Sequence, residues 1–221
     1  MTTARGLVKV KICGLNDRRG LDAALDAGAA YVGFVFYRRS PRFVDLDQAA
    51  ALVARVPRPV IAVGLFVDPT DADITMVTDR VGLGMLQLHG NEAPERVDEI
   101  KRRTGLPAMK VLGVASAGDV HRARAYEDRA DMLMFDARPP PGATRPGGNA
   151  VAFDWKLVRS YTGPVPWMLA GGLTRDNVAT AIAQSGATIV DVSSGVESNP
   201  GVKSPAKIRA FLAAVAAARL G

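Results

Sequence analysis

Short runs of apolar and β-branched residues recur along the chain, and stretches with helical periodicity fill the intervals between them. Eight runs predict strands: Val8–Cys13, Tyr31–Phe36, Val60–Phe66, Met85–Leu88, Ala108–Val114, Met132–Asp136, Trp167–Ala170 and Ile189–Val192. Helices are predicted over segments such as Asp17–Ala27, Asp45–Val56, Ala93–Arg103 and Asp119–Ala130, with a seventh at Thr174–Gln184 and an eighth at Ser204–Leu220. Asn16, Asp45 and Asp119 stand where an N-cap side chain would accept from the first free amides. Gly28, Gly105 and Gly186 stand where a helix would close on a left-handed residue.

Strand–helix alternation builds either an open doubly wound sheet or a closed barrel, and alternation alone does not separate the two. Two features favour closure. The count is eight, and no GxGxxG follows an early strand. Eight units in 221 residues leave about 28 residues each, short but sufficient for a (β/α)8 TIM barrel of eight parallel strands. No linker or compositional break interrupts residues 1–221, so the expected organisation is a single barrel domain.

Composition narrows the class. Hydrophobic residues make up 48% and charged residues 23%, the proportions of a soluble globular protein. No run approaches the roughly 18–20 apolar residues of a membrane span. The opening segment, MTTARGLVKVKICG, has no stretch suited to a secretory signal, so a cytoplasmic protein is expected. A single cysteine excludes an internal disulfide, and with two histidines it argues against a zinc cage. The net charge of +6 and a pI of about 9.8 invite a polyanion. Yet the cations fall in ones and twos among acids and aromatics are only 6%, unlike the basic stripes and stacking platforms of nucleic-acid binders. The charge reads as a solvated basic surface or, more locally, as a positive field at a site for a small phosphorylated or carboxylated molecule.

Barrels of this kind place their chemistry at the C-terminal ends of the strands. The predicted strands end in Cys13-Gly14, near Asp68, in His89-Gly90, in Asp136, in Gly171-Gly172 and in Asp191 followed by Ser193-Ser194-Gly195, while Ser40-Pro41-Arg42 follows the second. A lone cysteine is usually a small buried hydrophobe, but at a strand end its thiolate can face the mouth as a base or nucleophile. Asp136 could instead cap the next turn, His89 could be structural, and Asp68 and Asp191 could satisfy loop amides. Gly-Gly after the seventh strand and Ser-Ser-Gly after the eighth occupy the place where many barrels hold phosphate on backbone N–H groups. The segment Ala137–Ala152, with Pro139-Pro140-Pro141 and Pro146-Gly147-Gly148, reads either as a surface loop or as a lid.

Several of these residues fall within longer motifs. KICGL occupies 11–15, VGFVF then SPR lie within 32–42, and VGLFVD and LQLHG occupy 63–68 and 86–90. FD at 135–136, RPGGN at 145–149, AGGL with Asn177 at 170–177, and DVSSGVE with PG and Lys203 at 191–203 follow in order. In these motifs the chain resembles the phosphoribosylanthranilate isomerase family over nearly its whole length. The resemblance implies a single-domain eight-fold βα barrel in tryptophan biosynthesis. The implied reaction is an Amadori rearrangement of N-(5-phosphoribosyl)anthranilate to 1-(2-carboxyphenylamino)-1-deoxyribulose 5-phosphate, without metal or cofactor. Cys13 is then the general base, Asp136 the general acid, Arg42 the arginine that engages the anthranilate part, and His89 a lining residue of the same pocket. Gly171, Gly172, Ser194 and Gly195 become the phosphate cradle. The implied partner is the small-molecule substrate, with no nucleic acid and no membrane, and the chain is a monomer or homodimer. Two departures stand out: Ser204 occupies a place where the family commonly has Asp, and the sixth loop is long and proline-rich.

The chemistry suits these residue types. Opening a ribose ring needs a proton on the ring oxygen, which a carboxylic acid can supply. The resulting Schiff base acidifies the C2′ proton, and a thiolate can remove it. A related histidine-pathway aminoaldose isomerase uses two strand-end aspartates, whereas the first strand here ends in Cys13. A catalytically silent sugar-phosphate-binding barrel would be expected to lack Cys13 or Asp136.

Overall fold

Parallel strands leave no face for water, and the eight apolar runs meet that demand by closing on one another. The computed structural model describes residues 7–139, 142, 147–148 and 152–218. The strands are β1 (Lys9–Cys13), β2 (Tyr31–Val35), β3 (Ile61–Phe66), β4 (Met85–Leu88), β5 (Ala108–Val114), β6 (Met132–Ala137), β7 (Trp167–Leu169) and β8 (Ile189–Val192). They pair in chain order, all parallel, and β8 pairs with β1 to close the barrel. Helices α1 (Arg18–Asp26), α2 (Leu46–Val53), α3 (Asp71–Thr78), α4 (Pro94–Thr104), α5 (Ala117–His121), α6 (Val178–Ser185) and α7 (Pro205–Ala217) alternate with them, and a 3₁₀ turn at Trp155–Ser160 stands between β6 and β7. The expected TIM barrel is the observed one.

The strand period of two sorts side chains onto two surfaces. Outward residues such as Val10, Ile12, Val32, Leu86, Leu133, Phe135 and Val190 pack with helix residues including Leu21, Ile182 and Phe211 in one continuous shell. Inward residues Tyr31, Val63, Met85, Met109, Met132, Met134, Met168 and Ile189 fill the barrel itself. The same inward phase, one or two steps further along each strand, delivers Cys13, Gln87, Asp136 and Asp191 above that floor. The side chains that line the mouth are thus continuations of the packed interior.

Helix boundaries depart from expectation where side chains compete for caps. Asp17, not Asn16, caps α1 by accepting from Gly20 N at 2.7 Å, while Asn16 donates to the carbonyl of Gly201. The predicted helix Asp119–Ala130 is instead α5 followed by a 3₁₀ segment, Arg122–Tyr126. Asp119 lies inside the first turn, where its carboxylate reaches back to the amides of Ala115 and Ser116. The seventh helix begins at Val178 rather than Thr174, because Asn177 folds residues 174–177 into a turn by accepting from Thr174 N. Gly105 and Gly186 end α4 and α6 in the left-handed conformation, as expected. Ser204 caps α7 by accepting from Lys207 N at 3.3 Å, so the hydroxyl serves as a cap there.

On the outer side of β5, Lys110 is buried and donates to Glu92 Oε2 at 2.5 Å and to the carbonyl of Gly90 at 2.8 Å. Glu92 in turn accepts from the amides of Asp68 and Gly90, joining the loops after β3 and β4. Lys110→Met would leave that carboxylate buried beside an apolar stem. Urea unfolding is expected to show a loss of about 3 kcal/mol for this variant.

Candidate active site

Seven of the eight expected site residues lie at the C-terminal mouth around two connected cavities. Cys13, Arg42, His89 and Asp136 line the first, together with Tyr37, Ser40, Gln87 and Asp191. Gly171, Gly172 and Ser194 line the second, together with Asp136, Arg138 and Ser193. Gly195 is not among the lining residues. A Cβ there would strike the carbonyl of Leu173, so this glycine lets the loop after β8 pack onto the loop after β7. Asp136, Asp191, Ser193, Gly147 and Gly148 border both cavities.

Asp136 ends the inward phase of β6. Its Oδ1 accepts from the Ala137 amide at 2.8 Å, and its Oδ2 lies 3.3 Å from His89 Nε2. Gln87, two residues before His89 on the same phase, places Nε2 at 3.5 Å from His89 Nδ1. Its Oε1 is buried, with no hydrogen-bond partner among the described residues. Gly147 lies directly over the pair, since a Cβ there would come within 2.5 Å of His89 and 3.0 Å of the Asp136 carboxylate. Gly148 faces the Arg42 guanidinium in the same way. The two glycines are contact points over the site. Residues 140–141, 143–146 and 149–151 of the expected arm and hinge lie outside the described residues.

Arg42 has a partner that the sequence did not show. It is buried, and its fork is taken by Glu197: Nε donates to Oε1 at 2.7 Å and Nη2 to Oε2 at 2.9 Å. Glu197 opens β9 (Glu197–Asn199), which pairs antiparallel with β10 (Val202–Lys203), a hairpin not read from the sequence. The pairing sets Lys203 beside Glu197, with Nζ 2.8 Å from Oε1 and 2.9 Å from the carbonyl of Ser193. Burial pushes the Glu197 carboxyl up, but Arg42 and Lys203 outweigh it and hold the group below the usual carboxylate range. Asp191 pairs with a buried cation: its Oδ1 accepts from Lys11 Nζ at 2.8 Å. Burial pushes the Cys13 thiol above its ordinary value, against the opposing pull of Lys11 and Lys203. Lys11 and Glu197 lie within the motifs KICGL and DVSSGVE but carry no role expected from sequence, although Lys11 stands two before Cys13 and so shares its strand face. Among the described residues, no group of three His, Cys, Asp or Glu side chains could hold a metal ion.

A closed parallel barrel whose mouth brings a thiol, a carboxyl and two glycine-bearing loops around connected cavities defines a TIM-barrel protein with its site in the position usual for that fold. The family model described as N-(5'phosphoribosyl)anthranilate (PRA) isomerase matches residues 10–214. The chain belongs to that family. An N-(5'-phosphoribosyl)anthranilate isomerase of Paramagnetospirillum magneticum is 55% identical over 212 residues, covering 96% of this chain and 99% of the relative. The crystal structure of phosphoribosyl anthranilate isomerase from Thermotoga maritima superposes with a TM-score of 0.85 at 34% identity, covering 95% of this chain and 98% of that one. A phosphoribosyl anthranilate isomerase solved in complex with reduced 1-(o-carboxyphenylamino)-1-deoxyribulose 5-phosphate superposes with a TM-score of 0.81 at 33% identity, covering 93% and 97%.

The Glu197 carboxyl makes a pH prediction. Its folded value lies below its unfolded one, so its stabilising contribution is fully present above the ordinary carboxylate range and is lost as pH falls through the folded value. Urea unfolding across an acidic series is expected to show a steeper loss for the parent than for Glu197→Gln.

Proposed function

We propose that the chain catalyses the cofactor-free Amadori rearrangement of N-(5-phosphoribosyl)anthranilate to 1-(2-carboxyphenylamino)-1-deoxyribulose 5-phosphate, a step of tryptophan biosynthesis. The observation that carries this reading is the placement of Cys13 and Asp136 on one cavity that continues into the loops of Gly171, Gly172 and Ser194. Family membership supports it independently.

Asp136 in its acid form gives its proton to the ribose ring oxygen, and the ring C–O bond breaks as the anthranilate nitrogen lone pair forms a Schiff base. The cation draws electrons from C2′, and the Cys13 thiolate removes the C2′ proton to leave an enolamine. Ketonisation adds a proton at C1′ as the C2′ hydroxyl gives one up. Protonation of the Asp136 carboxylate and loss of the thiol proton then restore the site, so the isomerisation consumes no net proton. His89 orients the Asp136 carboxyl from 3.3 Å. The substrate phosphate lies against the backbone of Gly171, Gly172 and Ser194, where bare Gly172 permits close approach and Gly171 makes room for the Ala137 backbone. Gly195 supports this cradle through its packing on Leu173.

For Arg42 the geometry alters the expected role. Glu197 holds Nε and Nη2, so a substrate carboxylate meets the Nη1 edge beside Gly148 rather than the open fork. With Gly147 and Gly148 where they stand, the two cavities measure about 40 and 60 Å³, room for only a few waters. Substrate entry therefore requires these glycines to lift, and their return keeps water from the Schiff base. The chain acts as a cytoplasmic monomer or homodimer on a small-molecule substrate, without a nucleic-acid or membrane partner. Among the described residues, no helix is long and apolar enough to cross a membrane.

Turnover is followed by the loss of substrate fluorescence. Cys13→Ala and Asp136→Asn are each expected to fold normally and to lower kcat by about 10²–10⁴-fold. Parent-like kcat in either folded variant removes that residue from its role. Changing Gly147 and Gly148 together to Ala is expected to lower kcat, because the new methyl groups press on His89, Asp136 and Arg42. Unchanged kinetics would reduce the segment to an ordinary surface loop.

A further inference from the structure

The acid–base scheme leaves the fully buried charge of Lys11 unused. Lys11 has no exposed surface, although it lies in an interior built mainly from Met, Val and Ile. It precedes Cys13 by two positions on β1 and therefore points the same way. Across the closing seam of the barrel, β1 and β8 pair with Lys11 opposite Asp191, and Nζ donates to Oδ1 at 2.8 Å. A buried pair of this kind contributes little net stability compared with apolar packing. Its place directly beneath the thiol calls for another explanation.

Gly33 provides it. This residue of β2 stands opposite Cys13 in the strand register. A Cβ on Gly33 would lie 3.1 Å from Cys13 Sγ and 3.2 Å from Lys11 Nζ. Thiol and ammonium thus border the same small gap, opened by the missing side chain. We propose that Lys11 is a positioning residue for the reaction: its ammonium, anchored by Asp191, stands beside Cys13 and stabilises the thiolate that removes the C2′ proton. The proposal rests on Cys13 being the base.

The charges around the thiol agree with this assignment. Lys11 faces it from its own strand, Asp191 from β8 and Lys203 from β10, while Tyr37, Arg42, His89 and Asp136 line the same cavity. Burial is the largest influence on the thiol and favours its neutral form; Lys11 is the largest influence opposing it. Asp191 acts in the other direction but more weakly than Lys11, so the ammonium end of the pair dominates at Sγ. Asp191 and the nearby thiol more than offset the cost of burying Lys11 and hold it in its protonated form.

The chain has a single cysteine, which makes the test direct. Far-ultraviolet thiolate absorbance is titrated on the full chain, with the Cys13→Ser chain subtracted as the blank. Lys11→Met is expected to move the midpoint up by about one pH unit, which lowers the thiolate fraction about tenfold at pH values below both midpoints. The acidic limb of the kcat profile should move with it. A folded Lys11→Met chain with the parent midpoint overturns the proposal. Because that variant leaves Asp191 unpaired, Lys11→Met combined with Asp191→Asn provides a second measurement with neither charge present. Its midpoint should also exceed the parent value, by less, and a midpoint at or below the parent value overturns the proposal. Failure of the underlying reading looks different: Cys13→Ala would then keep its kcat, while the titration would still report the effect of Lys11.

Discussion

A charge inside a closed barrel is cut off from bulk water, and the inward phase of these strands puts several charges there. Each must meet an opposite charge or the barrel pays the full cost of desolvating it. Lys11 meets Asp191 at the β1–β8 seam, and Arg42 and Lys203 share Glu197 at the mouth. On the outer face, Lys110 and Glu92 answer the same demand. The pairings dictate which loops touch: the β9–β10 hairpin is drawn over the mouth because Glu197 must reach Arg42, and the loops after β3 and β4 are joined because Glu92 must reach Lys110.

The same scarcity of water strengthens the action of every charge at the mouth. In bulk solvent a lysine near a thiol is largely screened, whereas in the interior each charge acts strongly on its neighbours. Burial that favours the neutral thiol therefore makes the nearby cations effective in the opposite sense. Floor and mouth form one electrostatic unit, because the strand period that packs Met132 and Met134 below also lifts Asp136 above them.

Glycines do two kinds of work around this mouth. Gly172 lines a cavity with bare backbone, and Gly171 lines it too, although a Cβ there would strike the Ala137 amide. Gly33 and Gly195 face other parts of the protein, and the atoms that crowd them are a thiol, an ammonium and a backbone carbonyl. The motif SSG therefore combines a lining residue, Ser194, with a packing residue, Gly195, and only the contacts separate them.

Much of this architecture was legible along the chain. The eight strands, the placement of Cys13, His89 and Asp136 at strand ends, and the glycine loops follow from local periodicity and turn residues, which depend on neighbours a few positions away. The boundaries of α5 and α6 differ from the periodicity because Asp119 and Asn177 act as reciprocal or turn-forming side chains, and those roles appear only when the backbone is placed. The partners of the buried charges could not be read at all. Lys11 and Asp191 are 180 positions apart, and Arg42 and Glu197 are 155 apart. No local pattern encodes such a meeting. It arises when the barrel closes, because closure sets β1 beside β8 and leaves each buried charge with few groups to choose from.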